Sequence, residues 1–238
     1  MELNLKNKVI IVTGGSKGVG AGIVKALTEE GAIPVNVDRE NNFNLNVPGN
    51  CAHAVWNTVK TYGRIDGLVN NAGINDGVGL EKGNHKQFMK SLQSNMVHYY
   101  LMAHHALPYL KKSKGSIVNI SSKVAETGQG GTSGYAAANG ARNALTREWA
   151  VELLPSGIRV NSVIIAECFT PLYESWIKTM PVGTLAKITT NIPLERRMTT
   201  TEEIANSVLF LLSDRSSHTT GQLLHVDGGY THLDRAIK

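Results

Sequence analysis

Two cysteines, Cys51 and Cys168, are all that this chain of 238 residues contains. That is too few for a disulfide framework, and their spacing is wrong for a zinc site. No apolar run is long enough to span a bilayer; the longest, such as Val9–Val12 and Val163–Ala166, are strand-sized. The opening MELNLKNKVIIVTGG has an acid at position 2 and no small-residue cleavage site, so it reads as a first strand and not as a signal peptide. Linkers rich in Pro, Gly or Ser, low-complexity tracts and solenoid-period repeats are missing too. These absences exclude a secreted disulfide scaffold, a membrane protein and a repeat array. They leave one cytoplasmic domain over residues 1–238 as the expectation.

Concentrated charge is also lacking. A net charge of +5 and a pI near 9.2 raise nucleic acid as a partner. Only Lys111, Lys112 and Lys114 cluster, however, and no aromatic residue interleaves with them, which marks a solvated helix end and not a nucleic-acid surface. The eight histidines are scattered, and the adjacent His104 and His105 point to different helix faces, so no metal site is expected. A hydrophobic content of 42% suits a globular chain with a well-buried core.

What is present is alternation. Strand-like runs at Lys8–Val12, Ile33–Val37, Gly67–Asn70, Ser116–Ile120, Arg159–Ile165 and Leu223–Val226 are interleaved with helical stretches. The helices are expected at Ala21–Glu30, Cys51–Tyr62, Phe88–Leu110, Ser133–Leu154 and Thr201–Leu212. Such alternation predicts an α/β fold, a doubly wound parallel sheet of the Rossmann type. One place breaks the rhythm. Only RENNF separates the second strand from the next strand-like piece, Asn44–Val47, whereas a parallel crossover needs a dozen or more residues. A third strand is therefore either absent or not parallel to the second, and a helix is missing after the second strand.

TGGSKGVG places Gly14, Gly18 and Gly20 between the first strand and the first helix. Glycines there let the backbone approach a pyrophosphate at the positive helix N-terminus. Asp38 follows Gly18 by twenty residues at the end of the second strand. An acid in that place binds ribose hydroxyls and repels a 2′-phosphate, which favours NAD over NADP, although Arg39 beside it keeps NADP open.

The TGxxxGxG spacing, NNAG at Asn70–Gly73, NISS at Asn119–Ser122, Tyr135 thirteen residues after Ser122, Asn95, RVNSV at Arg159–Val163, Thr170 and VDGG at Val226–Gly229 resemble the short-chain dehydrogenase/reductase family over nearly the whole chain. NNAGINDGVGL, SSKVAETGQGGTSGY, TREWAVEL, AECFTPLY and HTTGQLLHVDGGYTHLDRA resemble members acting on sugars. The resemblance implies hydride transfer between NAD(P) and a sugar or other secondary alcohol, with oxidation of L-fucose to its lactone as one case. It implies a homotetramer or homodimer. It assigns cofactor contacts to Gly14, Ser16, Lys17, Gly18, Val19, Asp38, Asn71, Ala72, Gly73, Tyr135, Asn139 and Thr170. It makes Ser122 the partner of the substrate oxygen, Tyr135 the acid or base, and Asn95 a proton relay.

The fourth catalytic position is Asn139, where the resemblance implies a lysine. That lysine's charge helps tyrosine act as a base near neutral pH, since a free phenol has a pKa of roughly 10. Asn139 keeps a possible ribose hydrogen bond but supplies no charge, and Asn139→Lys is expected to restore it. Lys123, next to Ser122, is expected to point to the opposite side, and Arg142 lies nearly one turn further along the Tyr135 face, too far to touch the phenol. The alternative reading is a catalytically impaired protein that binds a dinucleotide or sugar, or one retained only for assembly. Ile165, Ala166 and Asn46 also depart from the pattern, at the nicotinamide loop and the adenine edge. His98, Glu126, Gln129, Glu167 and Trp176 are candidate sugar contacts; Asn75 and Asp76 are candidate contacts or a turn.

Overall fold

A computed structural model describes residues 2–233, so the final DRA of the sugar-dehydrogenase-like ending lies outside the described residues. Six strands form one parallel sheet: β1 (Val9–Thr13), β2 (Ile33–Val37), β3 (Gly67–Asn70), β4 (Ser116–Ser122), β5 (Arg159–Ile165) and β6 (Leu223–Val226). Their order is β2-β1-β3-β4-β5-β6. The helices are α1 (Gly18–Glu29), α2 (Pro48–Tyr62), α3 (His85–Leu92), α4 (His98–Ser113), α5 (Ser133–Glu152), α6 (Pro171–Ile177), α7 (Thr184–Thr190) and α8 (Thr201–Leu212).

The β1, β3, β4 and β5 strands are buried nearly throughout because both faces of the sheet are covered. One face packs Ile11, Leu68, Ile117 and Val160 against Ala54, Tyr99, Met102 and Trp149 of α2, α4 and α5. The other packs Ile10, Val12, Val118 and Val163 against Ile23 and Leu27 of α1 and Ile204 and Val208 of α8. The chain leaves β1 for β2 on one side and reaches β3 on the other, so the order reverses at β1. In doubly wound sheets ligands bind at that reversal, beyond the carboxyl ends of the strands.

The irregular edge resolves in favour of an absent strand. Asn44–Val47 is a turn, not a strand, and β2 is the edge of the sheet. Asp38 accepts from the amides of Glu40 and Asn41, starting a short 3₁₀ turn, and Pro48 then begins α2. The helix expected at Phe88–Leu110 is a longer run, interrupted by a π-turn at Gln93–Val97. The short α6 and α7 carry too little periodic pattern to be read from sequence. Among the described residues, no helix is long and apolar enough to cross a membrane.

Candidate active site

At the reversal point the turn after β1 and the segment after β3 are tied together. The Thr13 hydroxyl accepts from the amides of Asn71 (2.8 Å) and Ala72 (3.1 Å). The Asn71 side chain donates to the carbonyls of Thr13 (2.9 Å) and Gly14 (3.2 Å). Gly14 sits at φ 69°, and a Cβ on Gly20 would lie 2.0 Å from the Gly14 oxygen, so this turn closes only with glycine at both positions. The strand β2 fixes the rest: Asn36 Oδ1 accepts from the Gly15 amide at 2.7 Å, and Asp38 Oδ2 from the Ser16 amide at 2.9 Å. Burial alone would raise the Asp38 carboxyl, but hydrogen bonds centred on Ser16 outweigh it and hold the group below its ordinary value.

The cradle suits a dinucleotide: α1 opens at Gly18 with no side-chain cap, leaving its first amides for an anion. Val19 is buried beneath it, and the Lys17 side chain turns away to pair with Glu40 at 2.6 Å. Thr170 reaches over the turn, its methyl carbon 3.3 Å from where a Gly18 Cβ would stand. Asn36 escaped the sequence reading, although a polar residue within IPVNV was its signal.

Ser122 ends β4, opposite Ile165 of β5, and is buried. Tyr135 is in the first turn of α5, which packs along β4. One turn on, Asn139 is fully buried. Its Nδ2 donates to the Tyr135 carbonyl at 2.8 Å, and its Oδ1 accepts from Arg142 Nη1 at 3.0 Å and lies 3.5 Å from the Ser121 hydroxyl. Both ends of the amide make hydrogen bonds inside the protein.

Asn95 lies in the π-turn, buried, with Oδ1 accepting from the Ile74 amide at 2.7 Å and Nδ2 donating to the Ser91 carbonyl at 3.0 Å. Such turns recur at functional sites because they take a carbonyl out of the helical ladder. Here the released Asn95 carbonyl accepts from Arg142 Nε at 2.8 Å and from Nη2. Sequence reasoning placed Arg142 on the Tyr135 face but missed that it bonds Asn139 and Asn95.

Lys123 belongs to a cluster with Glu167 and Tyr230. It is ion-paired with Glu167 and sits 3.9 Å from the Tyr230 ring centroid. The side chains of Lys123 and Glu167 are only 10% and 13% exposed. Burial, followed by the charge of Glu167, pushes the Tyr173 hydroxyl far above the ordinary tyrosine range.

The other candidates separate. His98 is buried behind the site, where desolvation and then Arg142 push its imidazole down to about 4. Asn75 accepts from the Gly77 amide and forms a turn, while Asp76 accepts from the Ser91 hydroxyl at 2.9 Å. Trp176 packs edge-on to Tyr173, and Gln129 is exposed. Glu126 binds His225 Nε2 at 2.9 Å with His232 Nε2 3.9 Å away, a cluster unforeseen from sequence. Asn46, at the trimmed edge, donates to the Ser94 hydroxyl at 3.0 Å and so braces the π-turn.

A family profile described as enoyl-(acyl carrier protein) reductase matches residues 41–231. An L-fucose dehydrogenase of Bos taurus is 34% identical over 96% of this chain and 91% of its own. The chain belongs to the short-chain dehydrogenase/reductase family. Among solved structures, the Cj0485 dehydrogenase matches with TM-score 0.96 and 44% identity, covering 100% of this chain and 99% of that one. The Thermoplasma acidophilum aldohexose dehydrogenase matches with TM-score 0.93 and 28% identity at the same coverage. Short-chain dehydrogenases of this kind are NAD(P)-dependent oxidoreductases.

Proposed function

We propose that this protein is an NAD-dependent sugar dehydrogenase that oxidises the anomeric hydroxyl of an aldose, such as L-fucose, to a lactone. The observation that carries the substrate class is the buried Lys123–Glu167 pair, starting one residue from Ser122 and flanked by Tyr230 and Tyr173. Charged and phenolic groups held out of water need polar partners, which a polyhydroxylated ring supplies and an acyl chain or steroid does not. The names of the L-fucose and aldohexose dehydrogenases support the same class.

In this reading Ser122 donates to the substrate oxygen and Tyr135 takes its proton as the carbon–hydrogen bond gives up a hydride. The nicotinamide, when bound, is the hydride acceptor. Asn95 holds the backbone at Ile74, the wall beyond the NNAG segment. Asp38 meets the adenosine ribose, and its charge selects NAD over NADP. The small outward residues of α5 and the outer face of α4 support a homodimer or homotetramer. Two buried free thiols suit the reducing cytoplasm.

Purified protein assayed with NAD and NADP against aldoses, 3-oxoacyl thioesters and hydroxysteroids tests the assignment. Turnover of an aldose with NAD, and none with the other two classes, is expected. Preference for an acyl thioester would refute the sugar reading; tight NAD binding with no turnover of any substrate would favour the binding-only alternative that Asn139 raises. Asp38→Ala should narrow the gap between NAD and NADP affinities, read by calorimetry.

A further inference from the structure

Arg142 is 3% exposed, yet every hydrogen bond it makes is to an uncharged oxygen. Nε and Nη2 donate to the Asn95 carbonyl, and Nη1 donates to the Ile120 carbonyl at 3.2 Å and to Asn139 Oδ1 at 3.0 Å. The guanidinium carbon lies 4.2 Å from the Tyr99 ring centroid. Among the described residues no carboxylate pairs with it. Burying an ion without a counter-ion is costly, and carbonyls and an aromatic face offset only part of that cost.

The position of this charge is informative. Arg142 Nη2 would stand 2.8 Å from a Cβ on Gly73, which ends the NNAG segment after β3. It follows Asn139 by three residues on α5 and bonds that side chain directly. It also bonds the carbonyl freed by the π-turn at Asn95. The Ile120 carbonyl that it shares with the Tyr99 hydroxyl is two residues before Ser122. One guanidinium therefore joins the three elements that carry Asn95, Ser122 and the Tyr135–Asn139 turn.

We propose that Arg142 is the fixed cation of this active site, a positioning residue that holds Asn139, Asn95 and β4 in register and supplies from position 142 the positive charge that position 139 lacks. This rests on Tyr135 being the acid–base group. As the substrate hydroxyl gives up its proton, negative charge passes through the substrate and tyrosine oxygens. The guanidinium lies behind the elements that carry those oxygens, bonded to Asn139 Oδ1 and to the backbone two residues before Ser122, and a fixed cation acting through a site of low dielectric stabilises that charge without reorganising. Arginine suits the place because its planar fork bonds several carbonyls at once, whereas an ammonium is a compact charge.

The two positions are then alternatives. Asn139→Lys alone sets a second ammonium against a guanidinium already 3.0 Å from the residue it replaces, and so destabilises the site instead of restoring it. The sequence-based expectation for that substitution is the opposite, and the cycle below separates the two.

The test is a cycle of Arg142→Met, Asn139→Lys and the double variant, with Arg142→Lys and Arg142→Gln as a second pair. Melting temperature, NAD affinity, kcat and KM are read for each. Arg142→Met is expected to stay folded and bind NAD, since apolar replacement of a buried ion is often tolerated, while kcat falls ~10²-fold and the sugar KM moves little. Asn139→Lys alone is expected to lower both melting temperature and kcat. The double variant is expected to regain at least about tenfold in kcat over Arg142→Met, the usual scale of a lost electrostatic donor being ~10²-fold. Arg142→Lys should keep more kcat than Arg142→Gln. Wild-type kcat in Arg142→Met, a double variant no better than Arg142→Met, or equal Lys and Gln variants would each overturn the proposal. Melting temperatures read the coupling even without turnover: Asn139→Lys should destabilise the protein that keeps Arg142 and not the Arg142→Met variant, and additive shifts would reject the inference. Absence of aldose turnover in the wild type instead counts against the sugar dehydrogenase reading.

Discussion

At the scale of single residues, the reacting groups separate from those that hold them. Tyr135 is partly exposed at the start of α5, whereas Asn139, Arg142 and Asn95 are buried around it. Removing a partly exposed acid–base group should therefore affect rate and not folding. Tyr135→Phe is expected to lower kcat by ~10²–10⁴-fold, with melting temperature and NAD affinity unchanged, as activity assays and calorimetry would show. Asn95→Ala should differ, costing about 1 kcal/mol of stability because the Ile74 amide loses its partner, in addition to the loss of rate. Ser122, Tyr135 and Asn95, the proposed catalytic groups, stand out in the sequence because their spacing is a linear property. Arg142 was visible as a residue on the right helix face, but its role depends on bonds to Asn95 and Ile120, 47 and 22 positions away.

At the scale of elements, local chemistry sets where helices begin. In α8 the Thr200 hydroxyl accepts from the Glu203 amide and the Glu203 carboxylate from the Thr200 amide, a reciprocal cap. Arg197 also binds Glu203, and its hydrogen bond, with those of Thr200, holds that carboxyl down to about 2 against a small opposing effect of burial. A carboxyl lowered in the folded state adds stability that is complete above its unfolded pKa and is lost as pH falls through the folded value. That loss falls between the ordinary value of 4.5 and about 2. Because the pair is exposed, solvent screening keeps its contribution small. Glu203→Gln should flatten the melting temperature over that acid range, and Thr200→Ala should cost about 1 kcal/mol at neutral pH. Strands were legible because short runs of four to seven residues rich in Val and Ile recur between helical stretches, and length with β-branched content arbitrates for strand. The π-turn was not, since its extra residue leaves no mark on the helical pattern around it.

For the whole molecule, the sheet order creates the cleft and leaves one flank of α5 facing outward. Ala138 is fully buried and does not face outward. The outward positions are Ala137, Gly140, Ala141 and Ala144, and a Cβ at Gly140 meets nothing within 4 Å. Small residues let helices approach closely, so this flank is the expected contact between copies. Light scattering should show a dimer or tetramer at micromolar concentration, and Ala144→Glu should shift it toward monomer while the monomer stays folded. A wild-type monomer would remove the assembly from the reading.

By itself the sequence determined the alternation of strands and helices, the glycine turn, Asp38 at the end of β2 and the Ser122–Tyr135 spacing. Each of these is written within a short window, where periodicity and backbone sterics act. It also showed that the edge was irregular, but not that Asn44–Val47 is a turn and β2 the last strand, because strand pairing is a long-range choice. Only the tertiary structure decided that Asn139 is buried with its amide engaged, that Lys123 belongs to Glu167, and that Arg142 carries the buried charge. Burial and electrostatics depend on what surrounds a side chain in space, and those neighbours come from β4, the π-turn and the loop after β5, which meet only when the sheet has formed.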